Sequence, residues 1–195
     1  MHETAPFTLD AWQSFYVIVG SSAGALTGLQ FVVLTLISEA RMLRAGDALS
    51  AFASPNVVHF CMALLVSAIL GAPWGGLGPP GVAVALCGAG GLIYSIAVLR
   101  RAMRQRDYRP VLEDWIWHAA FPMLAYAAMI HAGIQMSRVS SDVLYIVGGA
   151  SLMLVFVDIH NAWDTVTYVM AERSRREREQ ARAAAAAAAT RRQSE

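Results

Sequence analysis

Two carboxylates and a histidine stand in a part of the chain that otherwise carries no charge. The segment Asp158-Ile-His160-Asn161-Ala-Trp-Asp164-Thr165-Val-Thr-Tyr168 interrupts a long apolar run. At about 100° per residue, Asp158, His160, Asn161, Asp164, Thr165 and Tyr168 share an arc of about 160° on one helix. Val155, Ile159, Ala162, Val166 and Val169 occupy the other side. A His/Asp face on an apolar helix suits proton relay or coordination of a small cation. An unpaired carboxylate at that depth costs at least about 2.5–3.5 kcal/mol on insertion scales, so these groups need partners or a task.

Partners can be sought by depth along the other apolar stretches. His59 and His118 fall near one end of their stretches, and Gln30 lies in the matching half of the first. These three are expected to converge with Asp164 and Tyr168. His131 stands apart, near the other end of its stretch. His59, His118, His160 and Asp164 are also the candidates for a bound metal, although no compact ligand motif such as His-Glu-x-x-His is present. His118 and His131 lie 13 positions apart, near the spacing of stacked haems, but no second stretch repeats it. The sequence requires no cofactor. No paired-Asp motif supports intramembrane hydrolysis, and a non-enzymatic role is favoured.

The elements that hold these residues follow from charge. The chain has 195 residues, 56% hydrophobic and 15% charged, against about 25% charged in an average soluble domain. Residues 11–38, 48–99 and 115–137 contain no Asp, Glu, Lys or Arg. A water-soluble fold cannot hide such stretches, because each surface element needs a polar face. This excludes a soluble globular domain, a disordered chain and a disulfide scaffold. The fold class expected is all-α: a polytopic membrane helix bundle.

Five spans are expected, at about 12–38, 56–73, 81–99, 115–136 and 143–171, forming a transmembrane domain over 1–172. The segment Gly71–Pro80 between the second and third reads as a turn. Pro122 should kink the fourth span and free a carbonyl. Asp158 and His160 then lie roughly 16–20 Å from the end of the fifth span, near the midplane. A charged, Ala-rich tail occupies 173–195 and reads as a solvated helical extension that could also meet a cytoplasmic partner.

All 15 basic residues are Arg, and 14 of them fall in the first and third loops and the tail. Only Arg138 lies on the other side. The positive-inside rule then places the amino terminus outside and the carboxyl terminus in the cytoplasm. Trp12 and Trp74 belong at the outer interface, and Trp115 and Trp117 at the inner one. The opening residues carry no basic n-region, and the first apolar stretch is too long for a signal-peptide core, so it is expected to stay as an anchor. The basic loop Arg100–Arg109 marks topology and could also touch anionic head groups. Nothing points to nucleic acid.

Small residues recur every fourth position in two spans: Gly20, Gly24 and Gly28 in the first, and Ala83, Cys87, Gly91 and Ser95 in the third. In lipid such stripes let backbones approach, within one bundle or between copies in a homo-oligomer. Cys61 and Cys87 read as small hydrophobes in their apolar stretches.

The run Leu9-Asp10-Ala11-Trp12-Gln13-Ser14-Phe15, followed by Ala23-Gly24-Ala25-Leu26-Thr27-Gly28-Leu29-Gln30-Phe31-Val32, resembles a group of small, largely uncharacterised bacterial integral membrane proteins. These open with a Trp-x-x-Phe element and an Ala/Gly-rich Leu-Thr-Gly-Leu-x-Phe-Val first span. The resemblance implies a bacterial inner (cytoplasmic) membrane protein and covers about 25 residues. Gln30 departs from it, standing where the group has an apolar residue. The functional expectation is a protein that conducts or binds a proton or small cation through the polar face of the fifth helix. The alternatives are a membrane scaffold and, beyond it, a metal- or haem-binding protein.

Overall fold

The computed structural model describes residues 9–39, 46–104, 115–136, 138 and 142–194. Every regular element among them is helical. A 3-10 turn at Leu9–Trp12 leads into α1 (Gln13–Glu39). Then come α2 (Gly46–Leu70), α3 (Gly78–Arg104), α4 (Phe121–Met136) and α5 (Asp142–Ser194). A π-helical turn, Ile116–Ala120, opens α4. Four segments are long and apolar enough to cross a membrane: Leu9–Thr35, Gly78–Met103, Ile116–Met136 and Val143–Thr167. Pro55–Leu70 is a shorter apolar stretch. Large apolar side chains such as Ile18, Leu86, Ile93 and Phe156 are more than 60% exposed. Soluble proteins rarely expose apolar surface on this scale. This is the build of a multi-pass membrane protein.

Three local features depart from the sequence reading. First, α2 starts at Gly46, so Pro55 sits inside the helix instead of bounding it. A helix proline loses one backbone hydrogen bond, which neighbouring helices can make tolerable in a membrane. Second, Pro79 and Pro80 lie in the first turn of α3, where their missing N–H groups would be unsatisfied anyway. Third, the backbone around Pro122 takes the π geometry, with the Phe121 N–H donating to the Ile116 carbonyl. A proline ring clashes with the carbonyl four residues back, and one wider turn is a known response to such disruption.

In the packing, α2 touches α1, α3 and α5, while α5 also touches α1 and α4. The α3–α4 contact is built on small residues. A Cβ at Gly81 would lie 2.7 Å from the Gly133 carbonyl, and one at Gly88 2.8 Å from the Tyr126 carbonyl. A Cβ at Gly91 would run into the Tyr126 ring. The stripe in use therefore runs through Gly81, Ala85, Gly88 and Gly91. It shares Gly91 with the expected Ala83, Cys87, Gly91, Ser95 register; Ser95 is also buried, whereas Ala83 and Cys87 are only half-buried. On α1, a Cβ at Gly20 would meet Ser67, whereas one at Gly24 or Gly28 would have no other helix within 4 Å among the described residues. Cys61 is exposed and Cys87 half-buried, both free thiols.

The ends carry aromatic rings. Trp12 packs on Phe15, Tyr16 and Tyr145 with centroids 4.7–6.0 Å apart, and Gly148 opens the room for it. The Trp74 indole N–H donates to the Ile69 carbonyl. At the other end α5 runs on without a break into the tail. Arg173–Glu177 and Arg175–Glu179 form ion pairs of 2.9 and 3.1 Å one turn apart.

Gly133→Ala should destabilise the bundle by about 1–3 kcal/mol, since its Cβ meets backbone instead of a flexible side chain. Gly28→Ala should stay within about 0.5 kcal/mol. Thermal melts of both variants in detergent check the contrast.

Candidate functional site

Asp158 is fully buried, and its carboxylate Oδ1 lies 2.9 Å from Nδ1 of His59, itself 2% exposed. This pair joins α5 to α2. Depth along the sequence groups His59 with Asp164 and Tyr168 near the helix end. The structure corrects that, because α2 begins at Gly46 and so places His59 thirteen positions inside the helix. There it meets Asp158.

The pair fixes the register of two antiparallel helices. Stepping three or four residues along α2, and back along α5, brings Asn56 opposite Asn161, Ala63 opposite Leu154, Val66 opposite Ser151 and Leu70 opposite Val147. All eight are at most 2% exposed. Alternating steps of three and four are the spacing of a left-handed coiled-coil contact. The contact has two halves. From Ala63 to Leu70 it is apolar, apart from the Ser151 hydroxyl, which donates to the Val147 carbonyl of its own helix. Toward the Arg-rich end it is polar: His59 and Asp158, then Asn56 and Asn161.

Several buried polar atoms in that half have no hydrogen-bond partner among the described residues. They are Asp158 Oδ2, both side-chain polar atoms of Asn56, Asn161 Oδ1 and the Tyr126 hydroxyl. Asn56, Tyr94 and Tyr126 were missed by sequence reasoning. The rings of Tyr126 and Tyr94 stand edge-on to His59, with centroids 5.7 and 6.4 Å away. Tyr126 reaches this place only because Gly91 leaves room for its ring. A usable signal was present: Asn56-x-x-His59 and Asp158-x-x-Asn161 are mirror-image spacings, as two antiparallel helices sharing a polar contact require.

The rest of the expected polar arc separates from this centre. His160 stacks on Trp117 at 3.8 Å and 22°, and its Nε2 lies 3.2 Å from Asp164 Oδ2. The Asp164 side chain is 55% exposed. Thr165 donates its hydroxyl to the Asn161 carbonyl. The face expected to oppose the arc is also mixed, with Val155 buried and Ile159 40% exposed. His118 is half-buried in the π turn, Gln30 is buried on α1, and His131 is exposed. The side chain of Tyr168 lies outside the described residues, as do Arg41, Arg44, Arg106 and Arg109.

The four candidate metal ligands therefore divide: His59 pairs with Asp158, His160 lies beside Asp164, and His118 sits in the π turn. No group of three or more His, Cys, Asp or Glu among the described residues is arranged to hold a metal ion. Chemically, the buried pair can exchange a proton between imidazole and carboxylate, and its second carboxylate oxygen can accept a further ligand. No family model, curated protein or solved structure matches this chain.

Removing one partner of a buried pair strands the other in low dielectric, a loss of about 3–5 kcal/mol. His59→Leu and Asp158→Leu should each lose about that much. The double variant should lose clearly less than the two together. A double-mutant cycle on unfolding in detergent reads the coupling, and additive losses would contradict the pairing.

Proposed function

We propose that this chain is a bacterial inner-membrane protein of five spans that takes up a proton or small cation at the His59–Asp158 pair from the cytoplasmic side. The observation that carries the reading is the pair itself: a carboxylate and an imidazole at 2.9 Å, both buried in an apolar chain, with no second side chain on the Asp158 carboxylate among the described residues. Intramembrane ionisable groups in contact are the usual material of proton and cation sites.

Five spans are supported by α2. Its 25 residues reach about 38 Å. It packs among α1, α3 and α5, so it needs less apolar surface than its neighbours. Five crossings put the Arg-rich loops and tail together, and the positive-inside rule makes that side cytoplasmic. The first-span resemblance supports a bacterial inner membrane. Uptake from one side is supported by the polarity of the α2–α5 contact. From Ala63 to Leu70 that contact is apolar over about 10 Å, apart from Ser151, whose hydroxyl is satisfied within its own helix, whereas the cytoplasmic half is polar. The open faces of Gly24 and Gly28 support a homo-oligomer.

A second reading, a scaffold whose tail meets a cytoplasmic partner, is favoured by one observation. The α5 helix continues to Ser194, and residues 173–192 are exposed on every side.

Two measurements test the proposal. In a background lacking Cys61 and Cys87, Thr4→Cys should react with an impermeant maleimide on intact spheroplasts, and Ser194→Cys only after lysis. Infrared difference spectra between acid and alkaline buffer should show a carboxyl C=O band that Asp158→Asn removes without altering assembly. Identical spectra for wild type and variant would refute uptake at this pair.

A further inference from the structure

The contact between His59 and Asp158 needs one particular edge of the imidazole. Nδ1 lies 2.9 Å from the carboxylate. A half-turn about the last side-chain torsion would put the carbon Cδ2 in its place and break the bond. That torsion is broad and roughly two-fold in histidine, so the side chain does not fix the orientation by itself. What stands beside the ring decides whether it can turn.

Two aromatic rings stand there, each from a different helix. Tyr126 of α4 has its centroid 5.7 Å away at 62°, and Tyr94 of α3 6.4 Å away at 88°. Both separations fall in the range of about 4.5–7 Å that edge-to-face aromatic pairs prefer. The two rings differ in how firmly they are held. Tyr94 is half-buried, whereas Tyr126 is fully buried. Tyr126 also lies against α3 with both its backbone and its ring. A Cβ at Gly88 would come 2.8 Å from the Tyr126 carbonyl oxygen, and one at Gly91 would strike the ring. Gly88 and Gly91 stand three residues apart, on one ridge of α3. They let Tyr126 in and leave it no room to swing further toward that helix.

An aliphatic side chain at this position would present neither a ring face nor a ring edge to the imidazole. A smaller one would also open a void against polar groups, and such a void takes up water. Water replaces a direct hydrogen bond at little enthalpic loss. It would compete for Nδ1 and for the carboxylate, and the imidazole would be free to turn.

We propose that Tyr126 is a positioning residue for the proton site: clamped by Gly88 and Gly91, its ring holds the His59 imidazole in the orientation that presents Nδ1 to Asp158. The proposal rests on the reading of the His59–Asp158 pair as that site. Through Tyr126, the close approach of α3 and α4 sets the geometry of a contact made between α2 and α5.

The test is solid-state NMR on the full-length protein in lipid bilayers at one fixed pH, with 15N-labelled histidine and 13C-labelled aspartate. A His160→Gln background removes the other His–Asp contact. Tyr126→Leu and Gly91→Ala should each lose about half of the His59–Asp158 dipolar coupling, the value for a ring shared equally between two orientations. Tyr126→Phe keeps the ring and should keep the full coupling. Gly20→Ala drives a Cβ into Ser67 at the α1–α2 contact. It controls for lost stability, and it should also keep the full coupling. Full coupling in Tyr126→Leu, or equal losses in Gly91→Ala and Gly20→Ala, would overturn the positioning role. Should that happen while the pH-dependent carboxyl band of Asp158 persists, the proton site still stands. Absence of that band in the wild type would overturn the proton site itself, and the positioning role with it.

Discussion

A carboxylate inside a membrane protein must find a partner, and in this chain it finds one 99 residues away in sequence. The contact between Asp158 and His59 sets the depth and rotation of α2 against α5. From it follow the facing of Asn56 with Asn161 and the apolar layers that lead away in the other direction. Apolar packing alone would tolerate a slip of one turn, since Ala63, Val66, Leu70, Val147 and Leu154 could find similar neighbours at several registers. A single hydrogen-bonded pair cannot slip, because separation strands both groups in low dielectric. Buried polar contacts are known to specify register in coiled helices, and the alternating three-and-four spacing here is of that kind.

The small residues serve the same centre from a distance. Gly81, Ala85 and Gly133 bring α3 and α4 together until backbone meets backbone. Gly91 then admits the Tyr126 ring, which stands edge-on to His59 at 5.7 Å. The π turn at the head of α4 absorbs Pro122 and carries Trp117 to the stack with His160. Helix approach, ring placement and the buried pair thus form one chain of dependence.

Much of this was legible in the sequence at the level of class. The uncharged runs gave a membrane helix bundle, and the exceptional charges Asp158 and Asp164 pointed to α5. The partner was not legible, for a definite reason. Pro55 reads as a helix boundary, and with it Asn56 and His59 fall at a span end, away from Asp158. Only the tertiary context that lets Pro55 sit inside α2 moves His59 to the middle. The glycine stripes failed similarly. Sequence spacing shows that a face is smooth, but not which partner uses it, so Gly20 found Ser67 while Gly24 and Gly28 found no other helix among the described residues. The polar arc of α5 was real as an angle, yet neighbouring helices cover only the part that holds Asp158 and Asn161.

The central claim is a distance between two atoms. Solid-state NMR on the protein in lipid bilayers, with 15N-labelled histidine and 13C-labelled aspartate, measures it directly. In a His160→Gln background, which removes the neighbouring His160–Asp164 contact, one strongly dipolar-coupled His–Asp pair should remain, and His59→Gln should abolish it. Absence of that coupling, or its survival in His59→Gln, would contradict the account.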